Sequence, residues 1–130
     1  MLGLKNKKVL IPQKSTIKKL ITFIPTNSAD KLREALFNVG GGSIGNYDHC
    51  SFNIQGKGSF KGNEASNPVI GEKGITHFEE ETQIGITFPK HLESKILNTL
   101  FANHPYEEVA YEVTTLENTN QHIGIGMIGE

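Results

Sequence analysis

Two strand–helix–strand units in succession predict an α+β chain of ferredoxin-like βαββαβ order, a single antiparallel sheet with two helices on one face. Three observations lead there. Two segments repeat apolar residues at helical spacing, and each follows a β-branched run closed by proline. A short echo, Ile21-Thr-Phe-Ile-Pro25 and Ile86-Thr-Phe-Pro89, precedes the two helices. Glycine clusters and a proline turn punctuate the chain between these segments.

Ile17–Ile24 is apolar and β-branched and reads as the first strand, stopped by Pro25. Asn27 or Ser28 can cap a helix over Ala29–Val39, where Leu32, Ala35, Leu36 and Val39 fall at i, i+3, i+4 and i+7. Gly40-Gly41-Gly42 ends it, since glycine tolerates the left-handed conformation of a helix terminus. Tyr47–Gln55 alternates as a second strand. Gly56 and Gly58 then bracket a turn, and Lys57–Lys61 returns as a short hairpin strand. On this reading Cys50 and Phe52 face the core, while Tyr47, His49 and Ser51 share the other face.

Gly62–Gly74, polar and built around Pro68, is a long exposed loop, the kind of connection that often carries function or an interface. Thr76–Phe88 is the third strand. A second helix follows Pro89, with Leu92, Ile96, Leu97 and Leu100 inward, and His104-Pro105 ends it. Glu107–Leu116 is the fourth strand, and His122–Ile128, beyond a polar turn, is an extra C-terminal strand. Residues 1–16 read as a leader or connector and 17–130 as a single domain.

At 130 residues the chain can bury a core without disulfides or a structural metal. Its 13 basic and 14 acidic residues balance, which argues against nucleic acid or membrane as a partner. The clustered lysines near the start (Lys5, Lys7, Lys8, Lys14, Lys18, Lys19) have no interleaved aromatics for base stacking, so they read as a solvated leader. A single cysteine, Cys50, excludes an internal disulfide and suits a reducing, cytoplasmic compartment. No stretch approaches the roughly 20 apolar residues of a membrane span.

Candidate chemistry is sparse. His49 and Cys50 are neighbours, but on a strand their side chains point to opposite faces, and no Cys/His spacing typical of zinc occurs. Glu79-Glu80-Glu81 would place two carboxylates on one face without a partner base or nucleophile, so a solvated edge is expected. The glycines of Gly40–Gly45 follow a helix instead of opening one, and the negative end of the dipole there disfavours phosphate. His77, His91 and His122 stand isolated.

His104-Pro-Tyr-Glu-Glu108 is the best polar cluster, because Pro105 turns the chain so that His104, Tyr106 and one of Glu107 and Glu108 can converge. The plainer reading makes His104 a helix C-terminal cap favoured by the dipole, and Tyr106 an interface aromatic. With Glu64 and Glu72 of the long loop, and Tyr47 and His49, these residues form the candidate ligand or interface set. No catalytic residue, cofactor-binding residue or metal ligand is assigned within the chain.

Gly40-Gly-Gly-Ser-Ile-Gly-Asn-Tyr-Asp-His-Cys-Ser-Phe52 and His104-Pro-Tyr-Glu-Glu-Val-Ala-Tyr-Glu112 resemble the inserted domain of the Nif-three-like dinuclear metal-centre proteins, the GTP cyclohydrolase type-two homologues. Gly56-Lys-Gly-Ser-Phe60, Asn67-Pro-Val-Ile-Gly-Glu72 and Gly126-Met-Ile-Gly-Glu130 add to the match, which runs from about Lys8 to Glu130. The resemblance implies a PII/CutA-like fold in which three sheets cover one another in a homotrimer or larger homo-oligomer. It also implies that divalent metals and catalysis belong to flanking domains of a longer parent, of which this chain reads as a fragment. The expected function is then a non-catalytic oligomerisation or regulatory module. A stand-alone trimeric sensor of a small ligand or divalent metal is the alternative, with a site near His104–Glu108 and the Gly62–Gly74 loop. A metal-dependent hydrolase is the second alternative.

Overall fold

A proline closes the first strand and opens the first helix. β1 (Ile17–Pro25) ends on Pro25, which occupies the N-cap of α1 (Thr26–Asn38). The helix therefore starts earlier than the expected Ala29, and neither Asn27 nor Ser28 caps it. The polar group at its start is Thr26, whose hydroxyl joins Gln55 and Thr82 across 3.1 Å bonds. β2 (Phe52–Phe60), β3 (His77–Pro89), a 3-10 turn (Lys90–Leu92), α2 (Glu93–Asn103) and β4 (Tyr111–Thr115) follow among the described residues. This computed structural model describes residues 16–118; nearly all of the expected connector and the whole expected C-terminal strand His122–Ile128 fall outside the described residues.

The sheet order is β2-β3-β1-β4, and every pairing is antiparallel. With both helices on one face, this is the ferredoxin-like sandwich. The register Leu20↔Ile86 and Thr22↔Ile84 puts the apolar residues of the two central strands side by side. Leu20, Ile24, Ile84, Ile86 and Phe88 from the sheet meet Ala29, Leu32 and Leu36 of α1 and Ile96 and Leu100 of α2. Burial of each large aliphatic side chain contributes about 1.5–3 kcal/mol, and all ten are essentially inaccessible. The hydroxyls of the two buried threonines are satisfied: Thr22 donates to the Ala110 carbonyl at 2.9 Å and Thr82 to Gln55 at 3.1 Å.

Three strand expectations are corrected. β2 begins at Phe52 and runs unbroken through both glycines to Phe60, paired with β3 from Phe52↔Gly85 to Phe60↔His77, so there is no Lys57–Lys61 hairpin. A continuous partner strand outweighs the local turn preference of Gly56 and Gly58. Tyr47–Ser51 is not strand either. Ile44 and Tyr47 bond reciprocally across a tight turn, and His49 has φ 58°. The alternation expected for Cys50 and Phe52 consequently fails. Phe52 pairs with Gly85, not with a core position, lies on the helix-free face and is 69% exposed. Ile54, also on that face, is 46% exposed, and Ile21 and Phe23 of β1 are half-buried there. β4 is shorter than the expected Glu107–Leu116, because residues 107–110 make side-chain and irregular contacts with other segments instead of pairing.

The three glycines after α1 act by close approach. Gly40 and Gly42 have φ of +102° and +82°. A Cβ on Gly42 would lie 2.7 Å from the Cys50 carbonyl and 2.9 Å from the Phe37 ring. These contacts let Gly42 bond Thr87 at 2.7 Å and pin the connection against the end of β3.

Candidate functional site

Glu81 sits on β3, and the register places it opposite Gly56 with Gly58 one step along. A Cβ on Gly58 would overlap the Glu81 carboxylate, so the glycine makes the space that the carboxylate occupies. β3 is an interior strand. Glu79 and Glu81 are half-buried on its helix-free side while Glu80 is exposed, which corrects the expectation of a solvated edge for the acidic run. Glu79 pairs with His77 at 2.7 Å.

Pro105 turns the chain back over the sheet after α2. Tyr106 then reaches Glu81, donating its hydroxyl to Oε2 at 2.6 Å, a short bond to a charged acceptor. Its ring lies 5.5 Å from that of Phe60 and 5.1 Å from that of His104. Burial, with the Glu81 hydrogen bond and charge adding to it, raises the Tyr106 phenol well above its ordinary range.

Behind Tyr106 stands His104, only 8% exposed. Its Nε2 donates to the Phe23 carbonyl at 2.7 Å, and its Nδ1 accepts from the Tyr106 amide at 3.2 Å. A carbonyl can only accept and an amide N–H can only donate, so these partners require the neutral Nε2–H tautomer. Burial holds the His104 pKa below the ordinary 6.5, outweighing the Phe23 bond and the Glu81 charge, which act the other way. His104 occupies the expected C-cap position, and only the role given to it there is corrected. His104 follows the last residue of α2, but it bonds β1 and not the helix carbonyls, and a neutral ring has no charge to offer the dipole.

Glu107 reaches across to the long loop, where its Oε1 accepts from the Asn67 amide at 3.0 Å. Between that loop, the end of β2 and the Tyr106–Ala110 run lies a cavity of about 620 Å³. Phe23, Phe60, Pro68, Val69 and Ile70 supply its apolar walls, and Glu81, Glu107, Glu108 and Lys61 its charges.

The eight candidate residues thus separate. Tyr106, Glu107 and Glu108 line the cavity and His104 supports Tyr106 from behind. Glu64 and Glu72 belong to the same loop but are not among the lining residues; their backbone carbonyls receive Lys73 and Ile75. Tyr47 and His49 precede the opposite end of β2, where His49 packs on Phe37 at 4.6 Å and Tyr47 is 75% exposed. Sequence reasoning missed Glu81 as a member of the cluster. Its available signal was Gly56-Lys-Gly58, a strand stripped of side chains opposite an acidic run. Among the described residues no group of three or more His, Cys, Asp or Glu side chains is placed to hold a metal ion, so the residues present do not fit a dinuclear centre.

Comparison with known proteins bears on the fold and its relatives. No family model matches the chain. It is 41% identical over 129 residues to the GTP cyclohydrolase 1 type 2 homolog of Halalkalibacterium halodurans, covering 98% of this chain and 35% of that protein. A solved Bacillus cereus protein related to NIF3 superposes with a TM-score of 0.69 at 37% identity, over 86% of this chain and 29% of that one. The chain is homologous to one segment of the NIF3-related proteins. It spans about a third of the length of the relatives it matches. CutA from Xylella fastidiosa shares the fold at 13% identity, with a TM-score of 0.57 over 79% of this chain and 86% of CutA. The PII/CutA-like architecture is therefore the architecture of this segment. Among the described residues no helix is long and apolar enough to cross a membrane.

Proposed function

We propose that this chain is a non-catalytic self-assembly module, a homotrimer that joins copies of itself through the helix-free face of its sheet and regulates a metal-dependent hydrolase in a longer parent protein. The observation that carries this reading is the exposure of Phe52 and Ile54, 69% and 46%, on a face that also bears Ile21 and Phe23. Apolar sheet surface of this kind is an aggregation liability unless another surface covers it. Further copies of the same face are the occupant that the PII/CutA-like fold supports, and the match to a third of NIF3-related proteins supports a role as part of a larger chain. Sedimentation at micromolar concentration tests it: three chains per particle are expected, and a stable monomer removes the proposal.

The cavity favours a second reading, a sensor of a small ligand. At about 620 Å³ it falls within the 300–1,000 Å³ range usual for small-molecule sites. A thermal-shift screen of amines, carboxylates, nucleotides and divalent cations tests that reading, and no shift with any of them removes it.

A further inference from the structure

We propose that the cavity beside Tyr106 binds a small organic cation, an ammonium or guanidinium carried on an apolar body. The inference rests on the sensor reading and names the ligand class. Three lining carboxylates, Glu81, Glu107 and Glu108, face one ammonium, that of Lys61. A negative, partly enclosed wall attracts cations and repels phosphates and carboxylates.

The acids are not equivalent. Glu107 is committed to the Asn67 amide. Glu81 is half-buried with Oε2 held by the Tyr106 hydroxyl, and its Oε1 has no hydrogen-bond partner among the described residues. A fixed carboxylate with one free oxygen suits an N–H donor arriving from the cavity. Phe60, stacked at an angle against Tyr106, offers an aromatic wall, and a cation near an aromatic face gains further attraction. Val69 and Ile70 on the loop side would cover the apolar body of the ligand. A bare metal ion fits less well, because no three donors converge among the described residues. Phe23 and Glu81 lie on the helix-free side of the sheet, so the cavity adjoins the face proposed to join copies of the chain.

The test is an amide-detected NMR titration of the full chain with benzylammonium and, separately, with phenylacetate of the same shape and with ATP. Benzylammonium is expected to shift the Phe60, Ile70 and Tyr106 amides in a saturable way. Glu81→Gln keeps the shape and an acceptor for Tyr106, and should weaken binding tenfold or more, about 1.4 kcal/mol. Lys61→Glu, at an exposed position, should tighten it severalfold and serves if the first variant does not fold. Equal or tighter binding of phenylacetate or ATP at these amides would overturn the cation class while keeping a sensor. No saturable shift with any probe removes the site altogether. Unchanged benzylammonium affinity in a folded Glu81→Gln protein, or in Lys61→Glu, overturns the role given to the carboxylates. Sedimentation of each variant reads assembly separately.

Discussion

At the residue scale His104 illustrates how a side chain that could titrate is committed to structure. Both ring nitrogens have partners, and those partners permit only the neutral form. His104→Ala leaves the Phe23 carbonyl and the Tyr106 amide unpaired in a largely buried setting, and should lower stability by about 1–3 kcal/mol in urea unfolding. A pH effect accompanies it. The folded-state pKa lies below the ordinary 6.5, so the unfolded chain takes up the proton first as pH falls. This residue's contribution is therefore complete above pH 6.5 and declines as pH drops toward the folded value. Urea midpoints at pH 7.5 and 5.5 should show a larger loss at low pH in the wild type than in His104→Ala. Equal losses would mean that His104 is not held neutral.

At the scale of elements, the glycines separate into those that the packing requires and those that it merely permits. Gly42, in the connection after α1, has φ +82° with the Cys50 carbonyl 2.7 Å from where a Cβ would stand. Backbone cannot rotate away as a side chain can, so Gly42→Ala should cost about 1–3 kcal/mol. Gly56, in the middle of β2, has nothing within 4 Å of an added Cβ and no positive φ. Gly56→Ala should instead be neutral or stabilise a single chain by about 0.4–1 kcal/mol, by restricting the unfolded state. Thermal unfolding of both variants under dilute conditions checks the opposite signs. A comparable loss in both would show that β2 also needs its glycine for close approach to another surface.

At the scale of the whole molecule, the sheet has, among the described residues, one face closed by two helices and one that is open. Phe52→Asp puts a charge on the open face at a position far from the ten-residue core. The variant should fold as a monomer, with a melting temperature independent of protein concentration. The wild type should melt higher as concentration rises, because assembly stabilises the folded chain by mass action. A wild-type melting temperature that ignores concentration, together with unchanged sedimentation of Phe52→Asp, would rule out this face as the interface.

Much of this architecture was legible in the chain because it rests on local periodicity. Leu32 and Leu36 repeat at helical spacing, Ile17–Ile24 is an apolar, β-branched run of strand length, and Pro25 and Pro89 mark where one regime yields to the other. The repeated strand–helix–strand order left few ways to close a sheet, and the ferredoxin-like order is the one observed. The motifs that pointed to the Nif-three-like insert were equally visible, since they are contiguous strings. What needed the tertiary structure was every relation across strands. Phe52 looked like core by alternation, yet its face depends on where β2 enters the sheet, and that is set by pairing with Gly85. Glu81 looked solvated, yet it lies on an interior strand against Tyr106, 25 residues away in sequence. His104 looked like a cap, yet its partner is Phe23, 81 residues distant. Periodicity reports which way a side chain leans along its own element. Only the register of neighbouring strands determines what it meets, because that register is fixed by the sum of many long-range contacts and not by any local run of residues.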